Sequence, residues 1–598
     1  MVWRVDFLAS WGRSVSGVGG GGNGEWRSPG KGCSVAAGFL KPGRGEGEGL
    51  GWRFFLVGRG GGRVNALIAP ARPDRFSARR RLRLCRCSGA FTVAGGDARL
   101  CCAPWLQGMN LRILSKLIGV LLILLAVSQG VCLAFSIWRG EFAEGLDAVE
   151  AFSISIGLAL ISGLAFFVLG RDSGNELLRR ESVSVVGLGW IFCTLYGALP
   201  YLLCEPRMSL ADGLFESVSG FTATGATVIE DLERLPKSLL LWRGLTQWLG
   251  GMGILVLFVA LLSSFGAGSK ALFRHESSTV ETEGLSPRIQ WISLQLWGIY
   301  VFLSLICFLG MRLLGMGSFD AVCHTFTTVA TGGFSTYNDS VAHFDSFAIE
   351  LWIELFMLLG AMNFMLYAWL LRRQWDRWRQ DEASKALLLI LSLAALVIAL
   401  NLVWSDVDLS YLESFRQALF QVIAIMTTTG FTTADYDQWP AFSVILLVAL
   451  MVIGGCAGST SGGLKVGRMV LFFKIVRYQL RTGFRPNQVM KLRLNGNAVS
   501  ESFRIDTLFL IATAAISLLL GTVVVSCLQP GLDVRSCFSS ALATLFNIGP
   551  ALGEVGPTRT YADLNGVTKV FLSCLMVLGR LEFYALLVLF MPSLWRRY

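Results

Sequence analysis

Apolar residues along this chain fall into long runs separated by short polar segments. The runs lie at 113–138, 149–170, 182–203, 238–262, 289–314, 345–371, 386–404, 440–480, 503–529 and 566–592. A helix needs about 20 apolar residues to cross the hydrocarbon of a bilayer. The pattern therefore predicts ten crossings and an all-α polytopic membrane protein. The run at 440–480 is too long for one crossing and is broken by glycines.

Four of the segments between crossings carry more than a turn. Each has a short amphipathic or apolar stretch followed by a threonine/glycine cluster. They read Leu214-Phe-Glu-Ser-Val-Ser-Gly-Phe-Thr-Ala-Thr-Gly-Ala-Thr227, Cys323-His-Thr-Phe-Thr-Thr-Val-Ala-Thr-Gly-Gly-Phe-Ser-Thr336, Phe420-Gln-Val-Ile-Ala-Ile-Met-Thr-Thr-Thr-Gly-Phe-Thr-Thr433 and Ser539-Ser-Ala-Leu-Ala-Thr-Leu-Phe-Asn-Ile-Gly-Pro-Ala-Leu552. Aligning them pairs Gly225, Gly332, Gly430 and Gly549. One such cluster is an ordinary loop, but four in register define a repeat. The unit is crossing, half-helix, loop, crossing.

Non-helical backbone at membrane depth persists only where protein buries it or water lines it. Four such loops around one axis present rings of carbonyl oxygens that can replace a cation's hydration shell. Glycine permits the left-handed conformations that turn successive carbonyls the same way. Threonine adds a hydroxyl at the inner end of the ladder. Each half-helix aims its negative, C-terminal end at the centre, which favours a cation. The candidate ion-binding residues are Thr224, Gly225, Thr331, Gly332, Thr429, Gly430, Asn547, Ile548 and Gly549.

The interruption at Gly454-Gly455-Cys456-Ala457-Gly458-Ser459-Thr460-Ser461-Gly462-Gly463 will not hold a stable helix. It resembles a phosphate loop superficially, but Leu464 separates Gly463 from Lys465 and no strand precedes it. The reading is a flexible gate under the loops, carried by Gly454, Gly455, Gly458, Ser459, Gly462 and Gly463, with a simple helix kink as the alternative. Arg580 lies mid-run in the last crossing. A charge at that depth costs about 3 kcal/mol and marks a functional site. Facing the pore it would repel a cation; the alternative is a structural pairing with Glu582 or with carbonyls of the 454–463 loop. Arg243, nearer the outer end of its helix, reads as support for a half-helix.

Composition sharpens the class. The chain is 53% hydrophobic and 16% charged, against about 25% charged in a soluble domain. Its mean hydropathy is +0.57, which excludes a disordered chain, a collagen and an ordinary soluble enzyme. The formal charge of +11 suggests anionic partners until it is located. Residues 1–108 hold 17 Lys+Arg and 6 Asp+Glu, so they carry the whole excess and leave the rest neutral. That segment has 23 glycines and the cluster Arg79, Arg80, Arg81, Arg83 and Arg86, with no sustained helical or strand period. Such a composition cannot offset backbone entropy by burial. The expectation is a disordered leader or a start codon placed too far upstream, Met109 being the natural start. A transit peptide and an RNA-binding arm are the alternatives, and the rest of the chain calls for no nucleic acid. Cys85-x-Cys87 with Cys101-Cys102 is a poor zinc spacing, and the other cysteines are scattered singly.

From Met109 onward, putting the N-terminus in the cytoplasm places 24 Lys+Arg on the cytoplasmic side and nine opposite. This is a positive-inside pattern with both termini cytoplasmic. The basic 465–504 stretch is a candidate docking face, although the same bias alone accounts for it. A membrane-embedded enzyme needs catalytic groups at depth. His275, His324 and His343 form no metal spacing, and no nucleophile elbow appears. His324 reads as a packing or capping residue. An alternating-access carrier would usually have inverted repeats, whereas these four run the same way. No resident cofactor is expected.

Ser219-Gly-Phe-Thr-Ala-Thr-Gly-Ala-Thr227, Thr331-Gly-Gly-Phe-Ser335, Thr427-Thr-Thr-Gly-Phe-Thr-Thr433 and Asn547-Ile-Gly-Pro550 resemble the four filter loops of the Trk/Ktr/HKT superfamily. Trp242-Arg-Gly-Leu-Thr-Gln-Trp-Leu-Gly-Gly-Met-Gly-Ile254 and Gly454-Gly-Cys-Ala-Gly-Ser-Thr-Ser-Gly-Gly-Leu-Lys465 resemble its bacterial TrkH-type subunits. The resemblance spans about residues 109–598. It implies a dimeric potassium uptake subunit of the bacterial inner membrane. Its expected layout is two extra helices within 109–181, then pore repeats at 182–288, 289–385, 386–502 and 503–598, with a gating loop at 454–464. It implies potassium as substrate, since glycine at position 225 goes with potassium where serine goes with sodium. It also implies a barrier role for Arg580 and a cytosolic TrkA-type ring that binds the nucleotide. The fourth loop departs from Thr-x-Gly at Asn547-Ile548-Gly549, so strict fourfold symmetry is not expected. Whether passage is passive or coupled to H⁺ or Na⁺ is left open.

Overall fold

The structure of the 598-residue chain is a computed structural model. It describes residues 110–141, 147–171, 179–251, 289–405, 410–485 and 492–592, and four short strands earlier in the chain. Two compact units are present, Met1–Ala103 and Pro104–Tyr598.

In the first unit, β1 (Cys33–Ala36) pairs antiparallel with β2 (Phe55–Gly58), and β3 (Cys85–Cys87) with β4 (Ala90–Thr92). Strands of three or four residues are too short for a sequence period to register. The remainder of the leader, and with it the start-site reading at Met109, lies outside the described residues.

The second unit is helical. It opens with α1 (Leu111–Arg139) and α2 (Ala148–Leu169). These two pack closely through small residues. A Cβ on Gly119 would lie 2.6 Å from the Gly163 carbonyl oxygen. Gln129 of α1 accepts from Ser155 of α2 at 3.0 Å and donates at 3.1 Å to the Tyr196 carbonyl of α3 (Arg179–Leu203). That buried chain fastens the hairpin to the first repeat.

The repeats follow. Repeat 1 is α3, α4 (Leu210–Phe221) and α5 (Lys237–Gly251). Repeat 2 is α6 (Ile289–Leu313), α7 (Ser318–Val329), α8 (Phe347–Ala361) and α9 (Phe364–Leu371), then the short α10 (Trp375–Gln380). Repeat 3 is α11 (Glu382–Trp404), α12 (Tyr411–Met426), α13 (Ala441–Ile453) and α14 (Val466–Phe484). A small hairpin, β5 (Arg493–Leu494) with β6 (Asn497–Ala498), leads to repeat 4. That repeat is α15 (Glu501–Leu528), α16 (Val534–Leu545), α17 (Gly566–Arg580) and α18 (Tyr584–Leu589).

Ten unbroken crossings do not result. Among the described residues six helices are long and apolar enough to span: α1, α2, Val183–Leu203, Ser293–Leu313, α11 and α15. Among the described residues the second crossings of repeats 2, 3 and 4 break part-way instead. The α8–α9 pair is bent by 89°. In repeat 3, Gly454 ends α13 at φ +72°. In repeat 4, Glu582 and Phe583 at φ +49° and +66° separate α17 from α18. In repeat 1, α5 is described as far as Gly251, and the remainder of the 238–262 run lies outside the described residues. The glycines at 454–463 mark the repeat 3 break in the sequence, whereas averaged hydropathy passes over those in repeats 2 and 4, which lie inside longer apolar runs.

Candidate functional site

Local signals start the half-helices. Ser209, Ser410 and Asp533 accept from the amides of Asp212, Glu413 and Ser536 at 3.2, 3.3 and 3.1 Å, the usual N-cap geometry. Helices α4, α7 and α16 have 12 residues and α12 has 16. At 1.5 Å per residue they run about 18–24 Å, too short to cross.

All four then leave the helix by the same backbone path. Ala223, Thr331, Thr428 and Asn547 are left-handed, with φ of 52°, 50°, 58° and 56°. The next amides, of Thr224, Gly332, Thr429 and Ile548, reach back to Ser219, Thr327, Ala424 and Ala543 carbonyls at 2.8–2.9 Å. Left-handed glycines follow: Gly225, Gly333, Gly430 and Gly549, with φ of 86°, 82°, 76° and 98°. The alignment of Gly332 with Gly225 is thus off by one residue. Gly333 stands opposite Gly225, and Gly332 stands opposite Thr224. Two adjacent glycines in loop 2 made both registers equally good in sequence. Thr331 and Asn547 sit one step deeper, level with Ala223 and Thr428.

These loops close on one another. A Cβ on Gly225 would lie 2.3 Å from the Gly332 oxygen, on Gly333 1.9 Å from Thr429 O, on Gly430 2.0 Å from Ile548 O, and on Gly549 2.6 Å from Thr224 O. Each glycine therefore packs on the equivalent carbonyl of the next repeat, and the fourth returns to the first. Only glycine fits the left-handed angle and the contact together. A cavity of about 130 Å³ touches all four glycines. It is walled by the segments that follow them, with Glu230 among its lining residues.

Thr222 and Thr427 donate back along their own half-helices to Val218 O and Ile423 O at 2.7 Å, and their hydroxyls pair with those of Thr224 and Thr429 at 2.7 and 2.8 Å. Asn547 ties loop 4 to loop 1, donating to Thr224 Oγ1 at 2.9 Å and to Met576 O at 3.0 Å.

The second crossings share a signal that the sequence reading missed: Leu249-Gly250, Leu359-Gly360, Ile453-Gly454 and Leu578-Gly579. In three repeats this glycine lets the crossing touch the end of its own half-helix. Cβ atoms on Gly250, Gly360 and Gly579 would lie 1.8, 2.9 and 1.7 Å from the carbonyls of Phe221, Val329 and Leu545. In repeat 3 the chain turns instead into the 454–464 loop.

That loop sits against the inner end of the ring. Gly462 N donates to Thr428 Oγ1 at 2.6 Å, and Gly463 N to Phe546 O at 3.1 Å. Thr460 receives a bond from Thr331 Oγ1 at 3.2 Å and donates to Gly360 O and Val329 O at 3.0 and 3.1 Å. Gly458 O accepts from Phe364 N at 3.0 Å, and Gly455 O from Val466 N at 2.9 Å. Ser459 caps its own turn by donating to Cys456 O at 2.6 Å. Gly454 and Gly463 are both left-handed and lie face to face, a Cβ on Gly463 falling 2.7 Å from Gly454 Cα.

Arg580 completes the cluster. Its guanidinium donates to Thr460 O at 2.8 Å and to Gly250 O and Gly251 O at 2.6 and 2.9 Å. It joins the 454–464 loop to the end of α5, an arrangement the pairing with loop carbonyls anticipates. Glu582 instead receives Arg468 at 2.6 Å.

Around the ring, Arg243 is buried and pairs with Glu216 of α4 at 3.3 Å. His324 is buried between the Phe344 and Phe431 rings, its nitrogens facing Asp320 O at 2.9 Å and Ser335 Oγ at 3.1 Å. Lys569 of α17 reaches Asp212 of α4 at 2.6 Å, linking repeat 4 to repeat 1. Among the described residues no group of His, Cys, Asp and Glu side chains is arranged to hold a metal.

The family model described as "TrkH: Cation transport protein" matches residues 151–597. The Trk system potassium uptake protein TrkH of Halomonas elongata is 37% identical over 493 residues, which is 82% of this chain and all of that protein. TrkH of Escherichia coli K12 gives the same identity and coverage. The crystal structure of the potassium transporter TrkH from Vibrio parahaemolyticus superposes with a TM-score of 0.73 at 35% identity, over 82% of this chain and all of that one. These relatives are transporters and not enzymes. The chain, a multi-pass all-α membrane protein, belongs to the TrkH family of cation transport proteins.

Proposed function

We propose that this protein takes up potassium ions through the ring formed by its four loops. The observation that carries the reading is the closed cycle of glycine–carbonyl contacts from Gly225 round to Gly549. Alternating left-handed and ordinary residues give the carbonyls of Thr224, Gly332, Thr429 and Ile548 the same setting in each loop, as a ring of cation ligands requires. Four half-helix C-termini add negative potential there. The 454–464 loop closes the inner end by donating amides to Thr428 Oγ1 and Phe546 O, and Arg580 holds it shut and adds a positive charge to the path.

The protein acts in the bacterial inner membrane with both termini in the cytoplasm, as a homodimer. Its gate answers to a cytosolic TrkA-type ring that carries the nucleotide, and the chain itself holds no cofactor. Potassium is its cargo and lipid its solvent. The relatives named potassium uptake proteins and the positive-inside pattern support this reading.

The test is ⁸⁶Rb⁺ flux into liposomes holding the purified protein, with and without a nucleotide-loaded partner ring. Flux that follows the Rb⁺ gradient alone and rises with the ring supports a gated pore. Dependence on an imposed H⁺ or Na⁺ gradient selects the coupled-symport alternative. No flux under any of these conditions rejects potassium uptake.

A further inference from the structure

A buried polar cluster behind the ring reaches from repeat 1 into loop 2. Arg243 on α5 is 1% exposed and uses every guanidinium nitrogen: Nε to Glu216 at 3.3 Å, Nη1 to Ser335 O at 3.1 Å and Nη2 to Thr227 Oγ1 at 3.2 Å. Its guanidinium carbon lies 4.1 Å from the centre of the Phe334 ring. The other oxygen of Glu216 receives the Val228 amide at 2.7 Å and the Thr227 hydroxyl. One turn further along α5, Gln247 donates to Gly332 O at 2.7 Å and accepts from Phe334 N at 3.1 Å. Gly332 O is the oxygen on which Gly225 packs, so Gln247 holds the seam between loops 1 and 2 from behind.

The repeat itself does not require this chemistry. Counting back from the aligned Gly250, Gly360, Gly454 and Gly579, the position of Gln247 is Met357, Met451 and Met576 in the other repeats. The position of Arg243 is Ile353, Leu447 and Leu572. Three repeats build the same crossing with apolar residues there. A buried ion pair is in general no more stabilising than a well-packed apolar substitute. The cluster therefore serves geometry that the fold alone does not need.

We propose that Glu216, Arg243 and Gln247 are positioning residues that set K⁺ over Na⁺ selection by holding the loop 1 and loop 2 carbonyls at fixed separation. This rests on the reading of the four loops as the ion filter. Whether selection comes from ring size or from the number and direction of carbonyl dipoles, it requires carbonyls that do not collapse onto a smaller ion. Gln247 fixes the direction of Gly332 O, and Arg243 with Glu216 fixes the segments that follow loops 1 and 2 through Thr227, Val228 and Ser335.

The experiment measures ⁸⁶Rb⁺ and ²²Na⁺ flux in liposomes for the full chain and for Gln247→Met, the residue the other three repeats already carry. The expected result is a protein that elutes normally on size exclusion, with its Rb⁺/Na⁺ flux ratio lowered about fivefold, the scale of one lost hydrogen bond. Gln247→Leu provides the same reading should Gln247→Met fail to assemble. A merely structural role lowers both fluxes and leaves the ratio alone, and that outcome overturns the proposal. Gly333→Ser, measured alongside, separates the two levels. A collapsed ratio in Gly333→Ser with a normal ratio in Gln247→Met rejects the brace and keeps the filter. Normal ratios in both reject the filter and the brace together.

Discussion

Gly549 packs on the carbonyl of Thr224, 2.6 Å from where its Cβ would stand, although the two lie more than three hundred residues apart in the chain. Through that contact the last repeat meets the first and the ring closes. Asn547 reinforces the closure by donating to the Thr224 hydroxyl. The fourth loop lacks threonine, yet its backbone follows the other three, so departure from Thr-x-Gly changes side chains and leaves the carbonyl path intact.

Loop 2 offers a test of register. Gly333 is left-handed and its Cβ would fall 1.9 Å from Thr429 O, whereas a Cβ on Gly332 would meet first the far end of the Gln247 side chain, at 2.5 Å. Gly333→Ala is expected to lower the Rb⁺/Na⁺ flux ratio sharply, and Gly332→Ala to lower it by less. The reverse order would restore the alignment of Gly332 with Gly225.

Arg580→Ala removes three bonds between the inner loop, α5 and α17. It also removes a charge from the ion path. Both effects lower the closed-state barrier, so basal flux in liposomes without the partner ring should rise. Equal or reduced flux from normally assembled protein would count against a barrier role.

Thr428→Val deletes the oxygen that receives the Gly462 amide while conserving volume. One hydrogen bond is worth about 1 kcal/mol net. Basal leak should increase several-fold, with the Rb⁺/Na⁺ ratio changed little, because Thr428 stands one step below the ring carbonyls. A leak identical to wild type would show that this bond does not hold the gate.

Gly250 and Gly579 permit the close approach of crossing and half-helix. Replacing either with Ala places a methyl under 2 Å from a carbonyl oxygen and should lower the melting temperature in detergent, by overpacking worth about 1–3 kcal/mol. Gly130, in the interior of α1 with nothing within 4 Å of its would-be Cβ, is the control. There Ala should be neutral or stabilising, since helical glycine costs about 0.5–1 kcal/mol.

Much of the architecture is legible in the sequence because the bilayer imposes length and composition on each crossing. The Thr-Gly clusters, the glycine-rich loop at 454–464 and the lone Arg580 all stand out against apolar surroundings. Three things are hidden. The breaks after Ala361 and Arg580 lie inside longer apolar runs, and hydropathy averages across the few polar residues there. The register of loop 2 is ambiguous because Gly332 and Gly333 are adjacent, and only the left-handed φ of Gly333 separates them. The partners of Arg580 and Gln247 lie more than eighty residues away and depend on how the repeats meet. The Leu-Gly and Ile-Gly pairs at the ends of the second crossings were readable as a repeat. They are too common as dipeptides to attract notice without the half-helix ends they touch.

The central claim is that the four left-handed glycines form one selective ring. Its most direct measurement is the Rb⁺/Na⁺ flux ratio of Gly225→Ser, Gly333→Ser and Gly430→Ser in liposomes, each beside the wild-type chain. The account predicts that every one of them loses most of the selectivity while the protein still assembles. Wild-type ratios in all three would contradict it.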